Sequence, residues 1–220
     1  MNTSQRLAGA DVLPQESQGS VTRLIDLIID PARAFHGIAH HAPWFAAFLT
    51  AVALRFASLL VFYHPTMTIG KIVTGIVFQI GTVAAPILFG SLVVGFVARV
   101  LSLRVRWRVL FSMITHVYLA YTFVTIAVVS VAGAVLPDST ELDLRNPPFV
   151  SVAALVPDAA STLLRRIVAE LDLRAAYAAA LLWLGLRGAA PDGSAAAATR
   201  VVATVVTLRL ATVAAIELMR

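Results

Sequence analysis

The chain has 220 residues, 59% of them hydrophobic and 13% charged, with a net charge of +5 and no cysteine. A soluble domain is roughly 45–50% apolar and about 25% charged, so this composition excludes an ordinary water-soluble globule. The absence of cysteine excludes disulfides, a thiolate nucleophile and a thiolate metal site, and the basic excess lies mostly in arginines beside apolar runs, which membrane topology explains without nucleic acid.

The apolar runs are longer than the roughly 9–11 residues of a barrel strand and do not alternate, so the expected fold is all-α, a polytopic membrane bundle. Residues 1–19 are polar, without periodicity, and read as a mobile tail. No apolar core of the kind a cleavable signal carries follows them. From Ser20 to His41, Leu24, Ile25, Ile28, Ile29, Ala32, Phe35 and Ile38 recur at helical spacing, with Arg23, Asp26, Asp30, Arg33 and His40 largely opposite. The spacing predicts an amphipathic helix lying on the membrane, docked by Leu24, Ile28 and Phe35. Pro31 divides it, with Asp30 placed to cap the second half.

Residues 42–220 form the expected transmembrane domain, with five spans at 43–63, 72–100, 109–136, 173–189 and 195–219. The second is too long for an upright span and contains Pro86, which predicts tilt or a kink. The fourth is short and alanine-rich, suited to an interior position against close neighbours. Between the third and fourth, after Pro157, the stretch Asp158 to Leu171 sets Ala159, Leu163, Ile167 and Leu171 on one face and predicts a second surface helix. Arg99, Arg104, Arg106 and Arg108 make the densest basic cluster, which places the loop between spans two and three in the cytoplasm, the N-terminus inside and the C-terminus outside. The loop from Pro137 then falls outside, its first half acidic with Asp138, Glu141 and Asp143.

Arg55 and Arg209 fall near the middle of the first and last spans, with no Asp or Glu inside a span to neutralise either. An arginine at bilayer depth costs about 2.5–3.5 kcal/mol on insertion scales. One reading makes both residues a site for an anion such as a lipid phosphate, which guanidinium matches in bidentate fashion. The other has each bond backbone carbonyls or snorkel to the interface. Gln79, Thr82, His116, Tyr118, Tyr121, Thr122 and Thr125 form a polar stretch on spans two and three. They either line a cavity, with Gln79, His116, Tyr121 and Thr125 as the candidates, or make ordinary interhelical hydrogen bonds. His36, His40 and His41 have helical spacing but lack the further ligands zinc wants, so they read as interfacial and no metal or other cofactor is expected. Ser91 with Gly95, and Gly81 with Ala85, are small pairs suited to helix packing.

The order of parts carries a resemblance. LIDLIIDPARAF precedes the first span, HHAPW opens it, and ELDLRAAYAAALLWLGLRG leads into the last. This resembles the bacterial branch of the Yip family, named for proteins that interact with Ypt/Rab GTPases, over about Val21 to Met219. The resemblance implies a five-helix domain with a cytoplasmic N-terminus, here in a bacterial inner membrane. The Asp-Leu-Tyr-Gly-Pro-type motif of eukaryotic members is missing from the residues before the spans, so binding of a Rab-type GTPase is not carried over.

No glycine-rich phosphate loop, nucleophile elbow or intramembrane carboxylate pair is present, so no enzyme activity is expected. The leading expectation is a non-catalytic module that organises membrane lipids or a partner protein, including a second copy of itself. The alternative is a small oligomeric transporter or channel for an anionic or lipid substrate. A transporter predicts a watery cavity reaching Arg55 or Arg209, whereas an organising module predicts a dry bundle.

Overall fold

The computed structural model describes residues 20–63, 68–135, 156–157, 161–190 and 194–219. The polar tail and the acidic half of the long loop, with Asp138, Glu141 and Asp143, lie outside that set. Among the described residues the regular elements are helices: α1 (Ser20–Ile29), α2 (Pro31–His41), α3 (Trp44–Tyr63), α4 (Ile69–Val100), α5 (Trp107–Val135), α6 (Thr162–Ala169), α7 (Leu173–Ala189) and α8 (Ala195–Leu218). Of these, α3, α4, α5 and α8 are long and apolar enough to cross a bilayer. The sequence led to five such helices. The difference is α7, whose 17 residues sit at the lower limit of about 17 for a span.

Local chemistry sets the boundaries. Asp30 separates α1 from α2, its Oδ1 accepting from the Arg33 backbone N–H at 3.2 Å, and Pro31 occupies the first position of α2. Pro tolerates that place because the first amides of a helix have no internal partner. α2 ends at Ala42, in the left-handed region at φ 45°, where its N–H reaches the Ile38 carbonyl at 2.8 Å. Pro43 follows, and the residue before a proline is pushed out of the right-handed helical region.

Register follows from a few contacts. The Trp44 and Phe111 rings meet edge to face at 5.3 Å, so α3 and α5 begin at the same end of the bundle. Gly75 lies against Phe56, and Gly95 against Leu110 and Trp107, so α4 runs antiparallel to both. Ser91 is fully buried on the same face of α4 as Gly95, whereas Gly81 and Ala85 are exposed. Gly185, near the end of α7, abuts Met113 of α5 and Phe35 of α2. Trp183 Nε1 donates to Thr199 Oγ1 at 3.0 Å and fixes α7 against α8. The α1–α2 pair, the α4–α5 turn and the α7–α8 turn therefore gather at one end.

α7 occupies the interior, between α5, α2 and α8. Its Leu181, Leu182 and Leu186 join Leu27, Phe35, Ile38, Leu110, Met113, Ile87, Ala198 and Val201 in one core. Phe35 is 2% exposed and Ile38 3%, so part of the face expected to rest on the membrane is turned into the protein. Ile25, Ile28 and Ile29 remain exposed.

α4 continues through Pro86 as one helix. Proline has no N–H, so the Thr82 carbonyl one turn back lacks its usual donor. The Tyr118 hydroxyl donates to that oxygen across a long 3.5 Å.

Candidate functional site

The two arginines singled out from the sequence do not converge. Arg55 is half-buried on α3, and its Nε is buried without a hydrogen-bond partner. Arg209 lies on α8 and is paired: its Nε and Nη2 donate to Glu170 Oε2 at 2.8 and 2.5 Å. The partner comes from outside the spans, where sequence reasoning did not look for one. The reason is register. From the Trp183–Thr199 contact, ten residues lead back to Leu173 on α7 and ten lead forward to Arg209 on α8, about 15 Å along each helix at 1.5 Å per residue. Arg209 is mid-span in sequence but level with the start of α7, where the α6–α7 junction brings Glu170. A second pair, Arg166 to Glu217 at 3.6 Å, holds α6 along the rest of α8.

Sequence reasoning missed the most buried charges. Asp172 and Arg174 have side chains only 6% and 5% exposed, joined by Nε to Oδ2 at 2.7 Å and Nη2 to Oδ2 at 2.5 Å. Asp172 Oδ1 also accepts the Ala175 backbone N–H at 2.6 Å, capping α7. The Arg174 guanidinium stands 6.0 Å over the Tyr121 ring. The available signal was an Asp placed to cap α7 with an Arg two residues on.

The polar stretch divides rather than forming one cavity lining. Gln79 is 5% exposed, and its Oε1 accepts from Thr82 Oγ1 at 3.1 Å. His116 is buried, with Nδ1 2.8 Å from the Ser112 carbonyl. Thr125 Oγ1 donates to the Tyr121 carbonyl at 2.8 Å, while the Tyr121 ring faces Arg174 on α7. The three hydrogen bonds each lie within one helix, and the Tyr121–Arg174 ring contact crosses from α5 to α7. His36 and His40 are exposed, with ring centroids 4.7 Å apart, and His41 is exposed beside them. Of the three docking residues, Ile28 is 42% exposed, Phe35 is in the core, and the Leu24 side chain lies outside the described set.

Hollows open on the surface among the described residues. One, about 200 Å³, opens between the α6–α7 junction, α7 and α8 and is lined by Glu170, Asp172, Ala175, Ala179, Val206 and Arg209, so it reaches the Arg209 guanidinium. Another, about 1000 Å³, lies at the α4–α5 turn. Its walls are Leu92 and Phe96 of α4 with Trp107 and Leu110 of α5, and its rim carries Arg99, Arg104 and Arg106.

The turn that builds this groove has a defined geometry. The Ser102 N–H bonds to the Arg99 carbonyl at 3.1 Å, and the Leu103 N–H to the Ala98 carbonyl at 2.7 Å. Ser102 is left-handed at φ 62°, and Leu103 is 7% exposed. This is the Schellman pattern, with serine where glycine is usual. Leu103 to Arg106 is then irregular, with Leu103 buried, Arg104 exposed, Val105 half-buried and Arg106 exposed.

Comparison of the chain with family models, with curated proteins and with solved structures gave no match.

Proposed function

We propose that this chain is a non-catalytic, Yip-type module of the bilayer that organises anionic lipids at one membrane face. In this reading α3, α4, α5, α7 and α8 are the five spans. α7 is the short central one, shielded from lipid by its neighbours, which is why 17 residues suffice. The α1–α2 pair is an amphipathic element half inserted into the bundle, leaving Ile25, Ile28 and Ile29 for the interface. The end that collects α1–α2 and the two turns is cytoplasmic by its arginines, which puts the C-terminus outside.

The observation that carries this reading is the distribution of paired and unpaired arginines. At the far end Arg166, Arg174 and Arg209 each have a carboxylate partner. At the basic end Arg99, Arg104, Arg106 and Arg108 are exposed, and among the described residues none is paired with a carboxylate. Juxtamembrane basic residues attract anionic lipid by about 1 kcal/mol each. Native mass spectrometry from nanodiscs of mixed phosphatidylglycerol and phosphatidylcholine tests it. Retention enriched in phosphatidylglycerol is expected; retention that mirrors the bulk mixture overturns the reading. A retained second copy would make the module an oligomer without changing the lipid test.

A further inference from the structure

We propose that the groove at the α4–α5 turn is a discrete site for one anionic glycerophospholipid, its phosphate held by Arg99, Arg104 and Arg106 and an acyl chain laid along Leu92 and Phe96. The proposal rests on the lipid-organising reading and deepens it from a basic face to one site with one ligand class.

The geometry argues for a built site. A buried Leu103 and a half-buried Val105 turn inward, which sends Arg104 and Arg106 outward from alternate positions. In extended chain such positions lie about 6.6 Å apart on one side, within reach of one phosphate for two long guanidinium arms. Arg99 comes to the same hollow from the last turn of α4. The turn depends on Ser102 staying left-handed, because that residue reverses the chain and drives Leu103 into the core. No Asp or Glu occurs from residue 31 to residue 137, so the local sequence supplies no internal anion for these cations. An anionic ligand seated in the groove would supply the opposite charge that the local sequence lacks.

The walls identify the ligand. Leu92 is 60% exposed and Phe96 70%, and both lie on a helix of span length. They continue the groove from the arginine rim into the bilayer. A soluble phosphate uses only the rim, and an acidic peptide has no reason to follow an apolar wall into lipid. A phospholipid matches both parts. Trp107, 49% exposed on the groove wall, stands where interfacial aromatic residues settle.

Trp107 also supplies the readout. A Trp44→Phe, Trp183→Phe background leaves Trp107 as the single tryptophan, since the chain has three. The protein is placed in phosphatidylcholine nanodiscs containing a minor fraction of lipid brominated on the acyl chain, either phosphatidylglycerol or phosphatidylcholine. Brominated phosphatidylglycerol is expected to quench Trp107 several-fold more than brominated phosphatidylcholine. The Arg99→Gln, Arg104→Gln, Arg106→Gln variant should abolish that preference. Arg104→Lys with Arg106→Lys keeps the charge and the topology but loses the bidentate fork, and should weaken the preference without removing it. A Gly188→Cys label, in the otherwise cysteine-free chain and where a Cβ meets nothing within 4 Å, verifies that each variant keeps its orientation.

Equal quenching by the two lipids in the parent overturns the site. A preference that survives the triple substitution also overturns it, while leaving the lipid-organising reading intact. Equal quenching by the two lipids in the parent, with glycerol phosphate binding that the triple substitution removes, makes a soluble anion the occupant and overturns the lipid assignment. Equal quenching together with no phosphatidylglycerol enrichment by mass spectrometry removes both readings.

Discussion

Tyr118 and Pro86 are joined through a single carbonyl: the Thr82 oxygen that Pro86 leaves without a donor is the one the Tyr118 hydroxyl faces at 3.5 Å. Where lipid offers no hydrogen bonds, a freed backbone group has to be satisfied from a neighbouring helix. Tyr118→Phe is therefore expected to destabilise the bundle by about 0.6 kcal/mol, the average for interhelical bonds in membranes. In a Pro86→Ala background, where the amide is restored, the same substitution should have almost no effect. A double-mutant cycle by thermal unfolding in nanodiscs measures the coupling, and additive effects would refute it.

The buried Asp172–Arg174 pair gives a sharper test. Removing one partner of a buried ion pair costs about 3–5 kcal/mol because the other charge is stranded. Arg174→Leu should show a loss of that size in unfolding free energy. Asp172→Ser combined with Arg174→Leu should recover most of it, since serine still caps α7 and no charge remains buried. A double variant no better than Arg174→Leu alone would show that the pair is not what holds the start of α7.

Gly185 permits the closest approach in the core. A Cβ there would lie 2.6 Å from Met113 Cγ and 3.2 Å from Phe35 Cδ1. Met113, whose side chain lies nearest, is 1% exposed and enclosed by the core, so Gly185→Ala should cost about 1–3 kcal/mol, as overpacking does. Met113→Ala in the Gly185→Ala background should relieve part of that strain, read as a rise in Tm. A further fall instead would mean that Met113 is not the obstacle.

Ile28 and Phe35 are both apolar and both on the N-terminal helices, but they should fail differently. Phe35→Ala should destabilise the fold by about 3–5 kcal/mol, as for other buried aromatic truncations. Ile28→Asp should leave Tm nearly unchanged and reduce the depth of a label on α1. If Ile28→Asp unfolds the protein, Ile28 is a core residue rather than an interfacial one.

Ala42 and Ser102 are the described non-glycine residues at positive φ. A left-handed residue with a Cβ costs roughly 1–2 kcal/mol. Ala42→Gly and Ser102→Gly should each raise Tm slightly, with the groove at the α4–α5 turn unchanged in the quenching assay.

Much of the fold was legible in the sequence because its signals are local. Pro31 with Asp30 marks the break between α1 and α2, and long apolar runs mark the long helices. What was not legible depends on register between distant segments. Arg209 looked unpaired because acids were sought inside the spans, whereas Glu170 reaches it from a junction that only the short length of α7 brings level. Phe35 looked membrane-facing because an amphipathic stripe does not say whether lipid or protein covers it; Gly185 and Met113 supplied the answer from more than 75 residues away. The basic cluster was visible as a topology signal, but its shape as a groove follows from the Ser102 turn.

The contact between Phe35 and Gly185 also constrains the order of biogenesis. α2 leaves the ribosome long before α7, its partner in the core. During that interval α2 has its contacts with α1 and α5 but lacks its larger packing surface on α7, so Phe35 and Ile38 are only partly covered. A nascent chain stopped after α5 should therefore expose α2 to protease more than the finished protein does.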